Sequence, residues 1–478
     1  MRKFDTKVQL LKYNVLKEVA RNAFEDTLVE NISHIPKKIL PNKEASMRCC
    51  VYKERAILAE RVKLAIGGNK NNRNVIEVID IACDECPVGG HVITSSCRGC
   101  ISHHCKEVCP KKAVKLDHNK RTYIDKSLCI ECGLCAKVCP FNAIANYKRP
   151  CENACKIKAI TMNKYNYAEI DNEKCIACGA CIYQCPFGAI MDKSFILNII
   201  DMLKKSAGNG YYRVYAVIAP SIVSQFGYAS VGQVVSGLKK LGFYKIAEAA
   251  LGADMVAFEE AKELKEKGFL TSSCCPAFVD FINKRYPEIS GCISKRLSPM
   301  ATIAKHIKQK DPKSKIVFIG PCTAKKTEFQ KQEVREYVDS VMTFEELQAV
   351  FDGCNIDISA LEEENLKTSS YFGRIFARSA GLSEAVGESL KEQNISDFEF
   401  LPEICDGIES CNAVLSKISK NLKTGNFIEG MACSGGCIGG AGSVSCRKKN
   451  PSSVDKYAVS GQSSISSALE MQKRENTS

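Results

Sequence analysis

The run Cys129-x2-Cys132-x2-Cys135-x3-Cys139-Pro140 and its copy Cys175-x2-Cys178-x2-Cys181-x3-Cys185-Pro186 constrain this chain more than any other feature. Three thiolates spaced this closely wrap one iron–sulfur cubane, and the fourth reaches a neighbouring one. Zinc would ask for two separated cysteine pairs instead. Cys97-x2-Cys100-x4-Cys105-x3-Cys109-Pro110 repeats the pattern with two extra residues in its loop. The residues after each fourth cysteine rhyme as well: Lys111-Lys112-Ala113-Val114, Phe141-Asn142-Ala143-Ile144 and Phe187-Gly188-Ala189-Ile190. Cys151-Glu152-Asn153-Ala154-Cys155-Lys156-Ile157-Lys158-Ala159-Ile160 matches only the end of the motif and reads as a damaged fourth copy.

The spacing is that of the bacterial ferredoxin run, in which the fourth cysteine crosses to the other cluster. That rule groups Cys97, Cys100 and Cys105 with Cys139, and Cys129, Cys132 and Cys135 with Cys109. It groups Cys175, Cys178 and Cys181 with Cys155. Three accessory [4Fe–4S] clusters are therefore expected. Cys151 and Cys185 are left as half of a fourth site that Cys83-x2-Cys86 could complete; otherwise those four thiols are structural. His103 and His104, in the enlarged loop, could tune or ligate a cluster but read as exposed loop residues. His91 fits no ligand spacing.

The 28 cysteines in 478 residues fall below the density of a small disulfide scaffold. A chain this long buries its own cores without staples. The charged start Met1-Arg2-Lys3-Phe4-Asp5 has no signal-peptide apolar block, and nowhere do eighteen apolar residues run together. The expectation is a cytoplasmic chain with reduced thiols serving as metal ligands, and no membrane span. A net charge of +13 would ordinarily raise nucleic-acid binding. Each cubane with its four thiolates contributes about −2, however, so three or four clusters offset about half of it. The basic residues are dispersed, which suits an acidic redox partner and not a nucleic acid.

Residues 1–80 read as mostly helical, with Val8, Leu11, Val15 and Val19 at helical spacing, a packing region or docking cap. Residues 81–195 form the cysteine-rich iron–sulfur region. Over 196–450, strand-like runs such as Val214 to Ile218 and Ile316 to Ile319 alternate with helical stretches, the signature of α/β construction. Residues 451–478 are rich in Ser, Lys and Glu and read as a mobile or peripheral tail. The fold expected is multidomain, α+β followed by α/β.

Three cysteine loops in the α/β region each follow a strand: Thr271-Ser272-Ser273-Cys274-Cys275-Pro276, Gly320-Pro321-Cys322-Thr323-Ala324-Lys325-Lys326-Thr327-Glu328, and Glu429-Gly430-Met431-Ala432-Cys433-Ser434-Gly435-Gly436-Cys437-Ile438-Gly439-Gly440. Ala219-Pro220-Ser221 follows a fourth strand. Binding groups collect at the carboxyl ends of strands in such sheets, so two lobes with a cofactor between them are expected. Gly435, Gly436, Gly439 and Gly440 would leave that cofactor room.

These three loops resemble the signature motifs of the [FeFe]-hydrogenase family, and the upstream clusters resemble its accessory electron chain, over about residues 75–450. The resemblance implies ferredoxin-like domains followed by a two-lobed iron hydrogenase domain. It also implies an H-cluster: a [4Fe–4S] cubane held by Cys275, Cys322, Cys433 and Cys437, with Cys437 bridging to a diiron subsite carrying CO, cyanide and a bridging dithiolate. In that frame Cys274 carries the proton, and Glu260, Ser294 and Glu263 continue the relay. Lys325 offers its ammonium to a cyanide, Met431 packs over the diiron unit, and Pro220 and Ser221 touch its other side. Lys326 is expected to face solvent. Without the resemblance, Glu260 and Glu263 read as a solvated helix face, Ser294 as surface loop and Met431 as core.

The implied activity is reversible interconversion of H2 with protons and electrons in an anaerobe. The implied partners are a ferredoxin-like or flavodoxin-like carrier and the maturation proteins that build the diiron unit. Two rival readings are an iron–sulfur assembly protein of the same fold lacking the diiron subsite, and a hydrogen sensor. Departures from the family pattern are Phe278 where Trp is common, Gly320 where Met is common, Ala441 among the terminal glycines and Val444 where Pro is common. Cys292, Cys354, Cys405, Cys411 and Cys446 match no ligand role and read as buried small hydrophobes.

Overall fold

The computed structural model describes residues 4–45, 47–87, 89–366, 368–422, 424–444 and 451–474. The long N-terminal helix, Lys7–Phe24, is capped by Thr6, whose hydroxyl accepts the Gln9 N–H at 3.1 Å. Val15, Leu16, Val19 and Ala20 share one face and are fully buried, each larger side chain contributing roughly 1.5–3 kcal/mol. That face packs on the helix Phe344–Gly353, so the N-terminal region braces the α/β domain.

A buried charge network closes the same junction. Lys12 Nζ lies 2.7 Å from Asp192 and 2.6 Å from Glu345. Lys326 Nζ lies 2.8 Å from the other Asp192 oxygen and 2.7 Å from Glu346, and donates to the Lys193 carbonyl. Lys326 is 0% exposed, contrary to the expectation that it faces solvent. Its two carboxylate partners come from distant segments, which a local reading of the loop does not include.

The iron–sulfur region is one ferredoxin-like unit inserted into another. Ile76–Val78 pairs antiparallel with Ile190–Asp192, and Ile160–Met162 with Ala168–Ile170. Between them in sequence lies a second set with the same arrangement: Gly90–Ile93 with Ile144–Tyr147, and Val114–Leu116 with Thr122–Ile124. All four half-motifs end in the same turn. Lys112, Asn142, Lys158 and Gly188 sit at φ between 48° and 59°. The amides of Ala113, Ala143, Ala159 and Ala189 donate to the sulfurs of Cys109, Cys139, Cys155 and Cys185 at 3.2–3.4 Å. The copy at Cys151 is thus interrupted rather than damaged: the inner unit separates it from residues 76–86. The inner unit has its own small core of Cys105, Val114, Cys135 and Ile144. The outer one, through Ile160, Ala168, Ile176 and Ile190, shares a core with the α/β domain.

The α/β domain holds two parallel sheets. One runs Lys245–Glu248, Val214–Ile218, Lys315–Gly320, Ser340–Thr343; the other Leu270–Thr271, Phe427–Met431, Pro402–Asp406. Val214–Ile218 and Phe427–Met431 are almost wholly buried, because helices cover both faces of parallel sheets. The carboxyl ends of four strands deliver Pro220, Cys274, Cys322 and Cys433 to the gap between the lobes.

The stretch read as a peripheral tail contains two packed helices, Pro451–Ala458 and Ile465–Arg474. Val454, Ala458, Ile465 and Ala468 are fully buried, and the Tyr457 hydroxyl donates to Glu248 at 2.7 Å. Few but well-spaced apolar residues outweigh the polar composition; residues 475–478 lie outside the described part. No described helix is long and apolar enough to cross a membrane.

Candidate active site

The gap between the lobes contains a cavity of about 90 Å³ with nearly apolar walls. Cys274, Cys275, Cys322, Cys437, Lys325, Met431 and Pro220 line it, with Phe318, Met300 and Phe376. Cys433 faces the adjoining cleft of about 820 Å³, which Cys155, Cys175, Cys178 and Cys181 also line. The two spaces meet at the third cysteine loop. Burial, then repulsion from Cys275, pushes the Cys322 thiol up to about 11; burial, then Cys322 and Cys275, pushes Cys437 to about 12. Cys433 is driven well above its ordinary value by burial and by Cys322, Cys275, Cys178 and Cys437.

Four half-buried thiols in which Cys275 disfavours the ionisation of the other three are a poor protein core and a good ligand set for a polynuclear cation. Among the described residues no three His, Cys, Asp or Glu converge tightly enough for a single ion. Thiolates at the corners of a cubane stand further apart than that. The Ser221 hydroxyl is fully buried with no hydrogen-bond partner beside Pro220, and Glu260 Oε2 is buried and unpartnered too. The Ser221 hydroxyl, next to Pro220 of the cavity wall, fits a bound group with polar atoms.

Lys325 is held charged in this apolar setting. Burial lowers its proton affinity, but Glu328, Cys322 and Cys274 raise it above the ordinary value. Its ammonium lies 2.6 Å from Glu328 and donates to the Cys274 carbonyl at 3.3 Å. The anionic partner that a buried lysine requires is thus first of all Glu328. The i,i+3 spacing of the two residues was a usable signal for it.

Cys274 opens a line of titratable groups. Burial, Cys275 and Glu260 drive its thiol well above the ordinary value, so it holds its proton. Glu260 is 0% exposed, on the helix Ala249–Lys267. Burial pushes it up to about 7 against the hydroxyls of Ser294 and Ser273. Ser294 Oγ donates to Glu263 at 3.2 Å. Burial raises the Glu263 pKa too, but Lys267 at 2.7 Å and the Lys295 amide hold it below the ordinary value. Arg296 Nε lies 3.4 Å from Glu263 at the outer end.

The line therefore runs from a protonated thiol through a carboxyl near neutrality to an ionised carboxylate under basic residues. Ser273, Lys267 and Arg296 were not picked out from sequence, although Ser273 adjoins Cys274. The raised Glu260 value makes folding favour its protonated form, so its contribution to stability is present below 4.5 and is lost as pH rises through about 7. In Glu260→Gln, that loss of stability with rising pH should be absent when unfolding is followed across this window.

Glycine fixes the meeting of wire and site. A Cβ on Gly179, at φ 76°, would sit 2.4 Å from Ala441 Cβ and 2.7 Å from Thr323 Oγ1. Thr323 donates to the Ala177 carbonyl at 2.7 Å. The loop carrying Cys178 therefore rests on those carrying Cys322 and Cys437. The glycines of the third loop behave differently from the expectation. Gly436 is crowded by the backbone of residues 377–379 and Gly440 by Pro321, so these two make room for protein and not for a cofactor.

Phe278 packs on Gly430, and Phe318 leans over Gly320 into the cavity, taking space that a residue-320 side chain would otherwise fill. Glu429, also unassigned from sequence, is buried and accepts the Ala380 and Ser383 amides at 2.8 Å.

The structure brings together cysteines that the crossing rule groups. Cys97, Cys100, Cys105 and Cys139 line one small cavity, and Cys109 and Cys129 both act on Cys135. Cys132 is exposed in the neighbouring loop. His103 is only partly exposed and lines the first set's cavity, while His104 is exposed. His91 is buried and bonded to Glu131 at 2.8 Å, away from any ligand role. Cys405 and Cys411 are buried, whereas Cys292 and Cys354 are half-buried; Cys446 lies outside the described residues.

The family profile "Iron only hydrogenase large subunit, C-terminal domain" matches residues 212–441, and the 4Fe-4S binding domain matches 122–145 and 168–191. The chain belongs to the iron-only hydrogenase large-subunit family. Iron hydrogenase 1 of Clostridium pasteurianum is 28% identical over 312 residues, 54% of each chain. The periplasmic [Fe] hydrogenase large subunit of Nitratidesulfovibrio vulgaris is 26% identical over 298 residues, 50% of this chain and 70% of that one. The cytosolic Fe–S cluster assembly factor NAR1 of Kluyveromyces lactis is 32% identical over 100 residues, 21% of each. The chain spans about half the length of the first of these relatives. A solved [FeFe]-hydrogenase structure, 18% identical, aligns over 59% of this chain and 94% of that one with a TM-score of 0.48. This family member thus pairs iron–sulfur relay domains with the hydrogenase α/β domain.

Proposed function

We propose that this chain is an [FeFe]-hydrogenase interconverting H2 with protons and electrons. One observation carries the reading: Cys274, Cys275, Cys322, Cys437, Lys325 and Met431 border a single apolar cavity, with Cys433 at its edge facing the wire. Cys275, Cys322, Cys433 and Cys437 would hold the cubane of an H-cluster, and Lys325, Met431, Pro220 and Ser221 would surround its diiron part. When bound, that group supplies a Lewis-acidic iron and a store of electrons. The protein's own residues do the rest. The apolar walls exclude water, Lys325 presents a fixed positive charge, and Cys274 holds a proton at Sγ. Glu260, near neutrality, takes or returns that proton, and Ser294 and Glu263 connect it to the surface beside Arg296.

Electrons would enter through the accessory clusters from a ferredoxin-like or flavodoxin-like carrier and reach the site across the Gly179 contact. Maturation proteins would install the diiron unit. The similarity to an assembly factor keeps a second reading in view, a cluster-assembly protein without the diiron unit. The retained Cys274, Lys325 and Met431 favour the enzyme, since a cubane alone needs none of them. Infrared spectra of anaerobically matured protein should show CO and cyanide stretches. Fully loaded cubanes with no such bands and no H2 activity would decide for the assembly reading.

A further inference from the structure

We propose that Cys83, Cys86, Cys151 and Cys185 hold one more [4Fe–4S] cluster, its ligand set split by the inserted unit, and that electrons passing between that unit and the α/β domain cross it. The family profiles match only two of the half-motifs, neither containing Cys83, Cys86 or Cys151. The outer unit's first half-motif becomes complete once residues 88–149 are set aside: Cys83-x2-Cys86, then Cys151-x3-Cys155. Cys83 and Cys185 both act electrostatically on Cys151 and on Cys86. Cys83 Sγ accepts the Ala168 amide at 3.4 Å, as Cys185 Sγ accepts that of Ala189 at 3.3 Å.

Charge gives an independent reason. Arg149 is 1% exposed, and its guanidinium donates to the carbonyls of Pro87, Cys86 and Asn166 and to Cys83 Sγ at 3.7 Å. Arg61 is 2% exposed beside Cys185; it donates to the Gly188 carbonyl at 2.6 Å, and its Nε has no partner. Among the described residues neither guanidinium is ion-paired with a carboxylate. Two buried, uncompensated cations are costly, and a cubane with four thiolates brings about −2. The pair Cys83-Asp84-Glu85-Cys86 starts at the end of the helix Asp80–Cys83, whereas the third residue of the other leading loops, Glu131 and Ala177, has positive φ. This pair therefore meets its cubane from a helix end.

The position explains the second half of the proposal. The inserted unit begins after Pro87 and ends at 148–149, next to Cys86 and Cys151, and Gly89 lies against the Tyr147 carbonyl. The inserted unit has a separate core, so this neck is its covalent attachment to the rest of the molecule.

The test is an iron, sulfide and EPR count on full-length protein made without maturation factors, and it does not depend on the diiron unit. Wild-type protein should carry about twenty irons per chain, from five cubanes, against about sixteen if the set is structural. Cys83→Ser and Cys151→Ser should each lose about four irons and one reducible centre, and Cys49→Ser none. Sixteen irons in the wild type, or unchanged iron in both variants, overturns the site. Should the variants lose all iron through misfolding, the wild-type count decides. Matured Cys83→Ser should keep H2/D2O exchange yet lose most H2 production driven by a reduced two-cluster ferredoxin; an undiminished ferredoxin-driven rate overturns the crossing. If infrared bands are absent throughout, the hydrogenase reading fails while the iron count still stands.

Discussion

Cys274→Ala is expected to lower H2 turnover by about 10²–10⁴-fold, the usual contribution of a positioned proton carrier, with iron content and infrared bands unchanged. The thiol is 8% exposed and kept protonated by burial and by the neighbouring Cys275 and Glu260. Alanine leaves the cavity dry and without a proton at that point, and Glu260 is linked through the Ser294 hydroxyl to the outer carboxylate, not to the interior. Turnover should fall in both directions, because one group serves as acid and base. H2 evolution and uptake assays on matched preparations with equal infrared intensity measure it. A variant that keeps its bands and its rate would remove Cys274 from the proton route.

Lys326→Met is expected to destabilise the fold by about 3–5 kcal/mol, the range for removing one partner from a buried ion pair. The ammonium holds Asp192 and Glu346 in a region closed to water. Burial alone would raise the Asp192 pKa, but Lys12 and Lys326 hold it well below the carboxylate range. A depressed carboxylate contributes stability that is present above its unfolded value and disappears only as pH falls through the depressed one. The wild-type junction should therefore resist mild acid, and the variant should lose that resistance together with its midpoint in denaturant. Because Lys12 and Asp192 come from the N-terminal helix and the last ferredoxin strand, unfolding of all three regions should shift together.

Much of the site's arrangement was legible because closely spaced cysteines and strand-then-loop order are visible in sequence. The crossing rule grouped cysteines that the structure brings together, at Cys97 with Cys139 and at Cys175 with Cys155. Strand-then-loop order put Cys274, Cys322 and Cys433 at the carboxyl ends of strands, which the structure draws from both sheets. What was missed depends on distant pairs. Lys326 looks like any surface lysine until Asp192 and Glu346 arrive beside it. The copy at Cys151 looks broken because its first two cysteines stand more than sixty residues earlier, across an insertion. The helices at 451–474 were hidden by composition, since a narrow stripe such as Val454 and Ala458 counts for little in an average.

The contact at Gly179 has a consequence for electron tunnelling, whose rate falls exponentially with the gap between centres. With the Ala441 and Thr323 side chains occupying the place where a side chain on residue 179 would begin, the loops stand closer than any Cβ there would allow. Any larger residue there would wedge them apart by a fraction of an ångström or more. In the proposed hydrogenase each such step would multiply the transit time, so the missing methyl group would help set how fast the molecule is charged from outside.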